Sequence, residues 1–480
     1  MGGDPRAGAM AGDPLAAPIT GHRRAGAISA VGHTARRPRP AAVRRFALIA
    51  ITVLLAASLP ASAGASGPGL GRARSRQTDT PPPPALPSPE LTSLQQLLDS
   101  TINGKDGQGG GLVVDEATGR TLWSFHADIP LIPASLQKLY TTSTALLKFG
   151  PNTTFDTVVA GTGKLLAHGV WDGNLYLHGG GDPTFGSASF DASLYGTGAT
   201  VQALAASVKR AGIRAVRGAI LGDESWFDSL RGGPASDYQP EVWTEGQLSA
   251  LAYDAGFTSQ QETQLQPNPP LTATRALVAA LRADGVRILH GDHVGVGRAP
   301  ATARMLGFVS SPPLSELLAL TNQPSDNFFA ETLLKDLGAT FGKGGTTVDG
   351  AAVVRSFVAS HFGLYPQFND GSGLSTYDRT SPEQLVHILR VMQGNRAFWN
   401  SLPVAGVRGT MKDEMLHTRA ADNCRGKTGT LTGIATMAGY CRAANGHELV
   451  FAFLLNDLHH TNKGHLREDH AAEALANYAG

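Results

Sequence analysis

The chain has 480 residues and a formal net charge of +1, with 40 basic and 39 acidic residues. This balance excludes a generally basic nucleic-acid binder and an acidic disordered chain. Hydrophobic residues make up 42% of the sequence, enough for a large core, whereas the 2 cysteines exclude a disulfide-dense scaffold and a four-thiolate zinc site. We expect neither a cofactor nor a resident metal.

Residues 1–63 indicate an export signal. Arginines between positions 36 and 45 precede an apolar run from Phe46 to Leu59, and Ala61-Ser62-Ala63 follows it. A basic segment, a short apolar segment and a small-residue cleavage site are typical of a secretory signal peptide. The run has 14 residues, whereas a helix needs about 20 to span a bilayer, so a permanent membrane helix is the weaker interpretation. The sequence therefore predicts an Arg-rich extension with a signal peptide, and an extracytoplasmic mature protein.

Residues 64–89 are rich in proline, with four prolines in a row from Pro81 to Pro84. Such a run lacks the backbone N–H groups of regular structure, so the segment is predicted to be a stiff, extended linker. The folded part is predicted to begin with a helix, because Ser88 suits an N-cap and Pro89 suits the first helical position.

The rest of the chain alternates helices with short strands. A predicted β-hairpin over 111–125 precedes a predicted helix over 133–151, and short strands with glycine-rich turns occupy about 155–230. Strand-like runs return around 427–440 and 449–455. This alternation predicts an α+β fold with an antiparallel sheet that is covered by helices.

Three short motifs carry the candidate chemistry. Ser135-Leu136-Gln137-Lys138 opens a predicted helix, Ser325-Asp326-Asn327 precedes another, and Lys427-Thr428-Gly429 lies on a predicted strand. Residues three apart on a helix are neighbours, so the Lys138 amine can reach the Ser135 hydroxyl, which needs a base to take up its proton. Each motif alone is weak, but all three in this order match the pattern of penicilloyl serine transferases.

The lysine of the first motif can act as a base only if its pKa is lowered. Burial of Lys138 or a second cation would lower it, and Lys427 is the candidate cation. Unpaired N–H groups at the helix start near Ser135 suit a developing oxyanion. Gly429 has no side chain, so we expect it to leave an edge strand open to a substrate backbone.

The chain resembles the D-alanyl-D-alanine carboxypeptidase/endopeptidase family, the low-molecular-mass class C penicillin-binding proteins. The resemblance covers roughly residues 95–470 and rests on six stretches: Pro133-Ala-Ser-Leu-Gln-Lys-Leu, Gly180-Gly-Asp-Pro-Thr, Gly222-Asp-Glu-Ser-Trp-Phe, Asp370-Gly-Ser-Gly-Leu-Ser, Leu402-Pro-Val-Ala-Gly and Lys427-Thr-Gly-Thr-Leu-Thr-Gly. It implies a penicillin-binding, β-lactamase-like transpeptidase domain built from 90–154 and 306–480. Between them, 155–305 would form one inserted, mainly β or α+β domain.

The resemblance also implies roles for the residues of the first two motifs. Ser135 would be the acylated nucleophile and Lys138 its base. Ser325 would relay protons, and Asn327 would hold the substrate amide. No metal or cofactor takes part in this scheme.

Substrate binding would depend on the third motif, on Thr430 directly after it and on Asp223. Lys427, Thr428 and Thr430 would bind the terminal carboxylate of the substrate. The N–H groups of Ser135 and Thr430 would form the oxyanion hole. Asp223 would help to bind the charged end of the stem-peptide side chain.

The activity that the resemblance implies is that of an exported serine DD-peptidase. It would cleave D-Ala–D-Ala bonds, with D-Ala cross-links as a further target, in peptidoglycan stem peptides through an acyl-enzyme. β-Lactams would acylate the same serine, and no nucleic-acid partner is expected. A serine β-lactamase is one alternative, but no clear Glu-containing loop is evident that could activate deacylating water. An inactive wall-binding protein is another, and the three intact motifs argue against it.

Three further features have more ordinary interpretations. Cys424 and Cys441 flank a predicted hairpin and can face each other; we favour a disulfide in an oxidising compartment, with two buried thiols as the alternative. Glu331, one turn after Asn327, is expected to be a helix-surface residue. Four histidines near the C-terminus are expected in a solvated loop rather than at a metal: His459, His460, His465 and His470.

Overall fold

The computed structural model describes residues 88–103, 106–290 and 293–480. The predicted signal peptide, and all of the predicted linker before Ser88, lie outside these ranges. The α-helices are α1 (Pro89–Ile102), α2 (Gln137–Phe149), α3 (Ala188–Leu194), α4 (Val201–Arg210), α5 (Pro269–Ala283), α6 (Leu314–Asn322), α7 (Asn327–Phe341), α8 (Thr347–Phe362), α9 (Pro382–Met392), α10 (Arg396–Ser401) and α11 (Thr461–Asn477). The strands are β1 (Gln108–Asp115), β2 (Thr121–Phe125), β3 (Asp156–Gly161), β4 (Lys164–Leu165), β5 (Val170–Asp172), β6 (Leu175–His178), β7 (Ala215–Val216), β8 (Ile220–Asp223), β9 (Arg287–Ile288), β10 (Val294–Val296), β11 (Arg304–Ser310), β12 (Arg425–Leu431), β13 (Ile434–Arg442) and β14 (Glu448–Asn456).

The first helix begins where the sequence predicts. Pro89 is its first residue, and the Ser88 hydroxyl accepts a hydrogen bond from the Leu91 N–H at 3.2 Å. This bond satisfies one of the backbone donors that a helix start leaves without a partner. The predicted cap is therefore confirmed.

A five-stranded sheet forms the centre of the molecule. Its strand order is β12-β13-β14-β1-β2, and every neighbouring pair is antiparallel. Alternate residues of β14 point to opposite faces: Phe451 and Phe453 pack with the side of α1 and α11, whereas Val450 and Ala452 pack with the side of α2 and α7. Because both faces are covered by helices, the predicted α+β arrangement is confirmed.

A second group of strands occupies the chain between α2 and α6. One mixed sheet has the strand order β10-β8-β6-β3-β11. A small four-stranded sheet from the same part of the chain has the order β4-β5-β7-β9. The pairs β6–β8 and β8–β10 are parallel, which requires crossover segments such as α4 and α5 between them. β11 returns antiparallel to β3, and residue 305, the expected end of the inserted domain, falls inside β11.

The two cysteines form a disulfide in this structure, with their sulfur atoms 2.02 Å apart. The pairing of Arg425 with Tyr440 across β12 and β13 brings Cys424 opposite Cys441. The bridge joins residues 17 apart in the sequence. In the chain-entropy treatment, a loop of this size stabilises the fold by roughly 3 kcal/mol.

The C-terminal histidines do not all lie in a loop. α11 begins at Thr461, so the segment expected to be solvated is the start of a helix, and that expectation is wrong for His465 and His470. Among the described residues, none of the helices has the length and apolar character that crossing a membrane demands.

Candidate active site

Ser135 lies in a single 3-10 turn, Ala134–Leu136, that leads directly into α2. Ala134 has a φ of 48°, an unfavourable conformation for a residue with a side chain. Gly429 of β12 packs against this turn, because a Cβ there would lie 2.8 Å from the Ser135 backbone nitrogen. The glycine is therefore needed so that β12 can approach the serine, and not simply to leave room for a substrate, as the sequence suggested.

Lys138 is the second residue of α2, three residues after Ser135, and its side chain is completely buried. Its Nζ is 3.0 Å from Ser135 Oγ, 2.6 Å from Asn327 Oδ1 and 2.9 Å from the Ser372 carbonyl oxygen. The first and second motifs, 189 residues apart, therefore meet at one amine.

The partners of Lys138 determine how the amine is oriented. The Ser372 carbonyl can only accept a hydrogen bond. Asn327 is fixed as an acceptor at Oδ1, because its Nδ2 donates to the Trp243 carbonyl at 2.8 Å. A neutral amine has two hydrogens for these two acceptors, so its lone pair is left to face the Ser135 hydroxyl. This is the arrangement that a base for Ser135 needs.

Burial controls the charge of the two lysines. It lowers the pKa of Lys138 to about 8, although the Glu245, Asp326, Asp370 and Glu331 carboxylates oppose the shift. Burial and the charge of Lys138 hold the pKa of Lys427 well below its usual range. Two ammonium groups in one dry site repel each other, which favours loss of a proton from the pair.

The third motif contacts the second. The Nζ of Lys427 donates to Ser325 Oγ at 2.8 Å and to the Thr428 carbonyl at 2.7 Å. Ser325 has a φ of 68°, again a strained conformation for a residue with a side chain. The Thr428 hydroxyl is 2.6 Å from the Thr410 hydroxyl, whereas Thr430 is exposed at the end of the motif. Eight of the nine predicted catalytic and substrate-binding residues thus gather on β12, on α2 with the turn before it, and at the start of α7; the ninth is Asp223.

Asp223 is not brought into this cluster. It ends β8 in the mixed sheet, is buried, and accepts hydrogen bonds from Ser225 and Ala299 backbone N–H groups, with His178 Nδ1 at 3.1 Å. Burial alone would raise the pKa of Asp223, but these hydrogen bonds lower it below its usual range. All of these partners belong to the second group of strands or the segments that border it.

Two acidic residues of the site were missed by sequence reasoning. Glu245 follows a 3-10 turn, Val242–Thr244, and its Oε2 accepts a hydrogen bond from the Asn327 N–H at 2.7 Å. Glu331 was expected on a helix surface, but it is 1% exposed, and that expectation is wrong. Its Oε1 accepts hydrogen bonds from the Gly371 and Ser372 N–H groups, both at 2.8 Å.

Glu331 therefore holds the amine of Lys138 in place indirectly. It holds the backbone of Ser372, whose carbonyl in turn holds the amine of Lys138. Burial, followed by the charge of Asp370, raises the pKa of Glu331 to about 7.

Within the described ranges, no group of three or more His, Cys, Asp or Glu side chains is placed to hold a metal ion.

Comparison with known proteins identifies the family. The sequence model of the D-Ala-D-Ala carboxypeptidase 3 (S13) family matches residues 94–269 and 265–478. The chain belongs to this family. The resemblance predicted from the motifs is thus confirmed, and so is the assignment as a serine-type carboxypeptidase.

Named relatives and a solved structure agree with this assignment. A D-alanyl-D-alanine carboxypeptidase of Actinomadura is 30% identical over 483 residues, covering 81% of this chain and 86% of the relative. A carboxypeptidase of Mycobacterium tuberculosis is 29% identical over 369 residues, covering 73% and 77%. The crystal structure of penicillin-binding protein 4 from Haemophilus influenzae superposes with a TM-score of 0.63 at 20% identity, covering 79% of this chain and 97% of that one, and has the same fold.

The buried Glu331 of this carboxypeptidase gives a testable prediction of stability. Glu331→Ala leaves two buried N–H groups without an acceptor, each costing about 1–3 kcal/mol, so we expect a loss of about 2–6 kcal/mol. Glu331→Gln keeps the accepting oxygen and should unfold close to wild type at low pH. Urea unfolding of both variants measures the difference.

The contribution of Glu331 to the free energy of unfolding depends on pH, and the sign of this dependence follows from its pKa. The folded pKa of about 7 exceeds the ordinary 4.5, so the folded state holds the proton more tightly than the unfolded state. The stability that this provides is complete below pH 4.5 and is lost as the pH rises towards 7. Glu331→Gln cannot ionise, so its stability relative to wild type should grow over that range. Glu316→Gln, at an exposed position on α6, is the control; an equal pH effect there would contradict the prediction.

Proposed function

We propose that this carboxypeptidase is an exported serine DD-peptidase that cleaves D-Ala–D-Ala bonds of peptidoglycan stem peptides. Ser135 attacks the carbonyl carbon between the two D-alanines, the C–N bond breaks, and the terminal D-alanine leaves. Water then hydrolyses the ester and regenerates the serine. β-Lactams acylate the same serine because their strained amide imitates the scissile bond.

One observation carries the proposal: Lys138 is buried, and its two other acceptors aim the amine lone pair at Ser135. The Ser135 proton passes to Lys138 as the bond from Oγ to the carbonyl carbon forms. The backbone N–H groups of Ser135 and Thr430 are the proposed donors to the oxyanion. Deprotonation of Lys138 requires little free energy near neutral pH, because burial has already lowered its pKa to about 8.

The other motif residues bind the substrate and return the proton. The contact of Ser325 with Lys427 supports a proton path to the departing amine of D-alanine. Asn327 has a second hydrogen on Nδ2 for a substrate carbonyl, besides the one donated to Trp243. Lys427, Thr428 and Thr430 would bind the terminal carboxylate. Since Asp223 is buried among partners of its own sheet, a part in binding the stem-peptide side chain rests on the family resemblance alone.

The direct test is digestion of purified muropeptides, with the products weighed by mass spectrometry. Loss of one terminal D-alanine from monomeric pentapeptides is the expected result. Conversion of cross-linked dimers to monomers would add endopeptidase activity. Intact substrates after prolonged incubation with enzyme that does take up penicillin would contradict the proposed reaction.

Export is the second part of the proposal, and it rests on the basic segment, apolar run and small-residue site within 1–63. N-terminal sequencing of protein recovered outside the cytoplasm should begin after Ala63. Recovery of the arginines before Phe46 at the N-terminus of that protein would contradict a cleaved signal peptide.

Glu245 favours one alternative function, a serine β-lactamase. Sequence reasoning found no acidic group for deacylating water, yet this carboxylate lies against Asn327, which contacts the base Lys138. A carboxylate near an acyl-enzyme can activate water. Rapid, catalytic turnover of nitrocefin would support the β-lactamase, whereas a long-lived adduct of one penicillin per protein supports the DD-peptidase.

A further prediction concerns the charge of Glu245. Its carboxylate raises the pKa of Lys138 against the effect of burial, so Glu245→Gln should lower that pKa. The free amine would then form at lower pH, and the rise of the penicillin acylation rate, expected near pH 8 in wild type, should move to lower pH. Glu241→Gln, at the residue before the same 3-10 turn, is the matched control. A shift to higher pH in Glu245→Gln would contradict this role.

A further inference from the structure

His465 links the substrate-binding strand to the interior of the molecule. Its Nε2 is 3.0 Å from the Thr430 hydroxyl, directly after the third motif on β12. Its Nδ1 is 3.3 Å from Oε2 of Glu468, one turn further along α11. Thr430 is exposed, whereas Glu468 is completely buried. A hydroxyl, an imidazole and a carboxyl group therefore run in sequence from the exposed Thr430 on β12 to the core.

The surroundings of this chain of groups are mainly acidic, although the positive charge of Arg467 also acts on Glu468, and burial increases from Thr430 to Glu468. Besides Glu468, the carboxyl groups of Asp469 on α11 and Glu414 before β12 act on His465. Each of these three acids has a buried oxygen without a hydrogen-bond partner: Oε1 of Glu468, Oδ1 of Asp469 and Oε2 of Glu414. An unpartnered, buried oxygen strongly disfavours a full negative charge. Burial accordingly raises the pKa of Glu468 well above its usual range and that of Glu414 to about 7.

The number of protons that His465 and Glu468 hold together decides whether the Thr430 hydroxyl accepts a hydrogen bond from His465 or donates one to it. With one proton between Nδ1 and Oε2 and a second on Nε2, the pair is neutral overall, and Nε2 donates to Thr430 Oγ1. The Thr430 hydroxyl then has its own hydrogen for another acceptor. With one proton fewer, the pair is negative, Nε2 becomes an acceptor, and the Thr430 hydrogen turns towards His465. The threonine would then present only lone pairs to an incoming carboxylate.

We propose that His465 and Glu468 are a positioning pair that keeps the Thr430 hydroxyl as a hydrogen-bond donor to the terminal carboxylate of the substrate. This rests on the proposed function, which places that carboxylate at Thr430. The pair touches no reacting atom, so it acts on substrate binding rather than on acylation chemistry. Its effect should appear in KM and weaken as the pair loses its proton at higher pH.

Substitution of His465 tests the donor. His465→Leu removes it, so the Thr430 hydroxyl is no longer held in one orientation, and KM for a D-Ala–D-Ala peptide should rise about two- to tenfold, the effect of one neutral hydrogen bond, with kcat changed far less. In His465→Gln the side-chain amide can supply an N–H near the position of Nε2, so KM should return towards wild type. A purely structural role would instead lower the melting temperature and kcat together in both variants.

Substitution of Glu468 tests whether the proton between Glu468 and His465 Nδ1 keeps the hydrogen on Nε2. In Glu468→Gln the amide N–H donates to Nδ1 at every pH, which leaves the hydrogen on Nε2 permanently. We expect this variant to keep a low KM and to lose the rise of KM with pH that wild type shows. A wild-type KM in His465→Leu, or an unchanged pH dependence in Glu468→Gln, would overturn the positioning role. If wild type itself neither takes up labelled penicillin nor releases D-alanine, the proposed function fails instead, so the two failures are distinguishable.

Discussion

Replacing Ser135 with alanine should abolish covalent attachment of labelled penicillin and release of D-alanine from a D-Ala–D-Ala peptide. The hydroxyl of Ser135 is the one that lies 3.0 Å from the buried amine of Lys138, and alanine leaves no nucleophile at that position. Loss of a catalytic nucleophile reduces rates by about a thousandfold or more. Intact-protein mass spectrometry should show one added penicillin in wild type and none in the variant.

Two other serines serve as controls for this prediction. Ser325→Ala removes the hydroxyl that accepts a hydrogen bond from Lys427, so we expect slower attachment that still occurs at Ser135. Ser193→Ala changes an exposed residue on α3 and should label as wild type does. Labelling of Ser135→Ala at the wild-type rate and stoichiometry would show that another group is acylated, and the proposed nucleophile would be wrong.

The parts of the fold that could be predicted depend on short-range chemistry. The N-cap at Ser88, the hairpin of β1 and β2, and the neighbourhood of Ser135 and Lys138 all follow from residues a few positions apart. Local backbone geometry fixes such pairs wherever the element forms. The same holds for Cys424 and Cys441, because the turn between β12 and β13 sets their register.

The remaining site residues depend on contacts between distant parts of the chain. Glu245 bonds to Asn327 across 82 residues, and no local spacing relates the two. Glu331 has the spacing of a surface residue on α7, and it is buried only because the segment containing Ser372 packs over it. His465 reaches Thr430 only after α11 has packed against the central sheet. Sequence periodicity reports which face of a helix is apolar, but not which segment will cover a polar residue on it.

Asp223 illustrates the opposite limit. Its neighbours in the sequence resemble those of the family, and its carboxylate accepts hydrogen bonds from two backbone N–H groups and contacts His178, all within its own region. A carboxylate with several such partners is stabilised as an anion, so the pKa of Asp223 lies below its usual range. Similarity of a local stretch can therefore identify a family, whereas the part of Asp223 in substrate binding stays a prediction.

Replacing Lys138 with methionine should reduce the rate of penicillin acylation by about a thousandfold or more while Ser135 remains in place. Methionine fills a similar volume without a charge, so the buried site loses the proposed base but keeps most of its packing. Ser372 and Asn327 each lose one hydrogen-bond partner, and Ser135 loses the lone pair that would accept its proton. Time-resolved labelling, with melting temperatures measured in parallel, gives the rate for folded protein.

Lys335 on α7 supplies a matched control. It is also completely buried, but it does not belong to any of the three motifs. Its amine donates to Asp228 at 2.7 Å and to the Leu230 carbonyl at 3.1 Å, so Lys335→Met should lower stability by removing those bonds. The folded fraction of that variant should still be acylated at close to the wild-type rate. If both variants slow acylation equally, burial of any lysine would matter more than its place beside Ser135. If Lys138→Met acylates as fast as wild type, some other group takes the serine proton, because a free hydroxyl is too weak a nucleophile to react unaided.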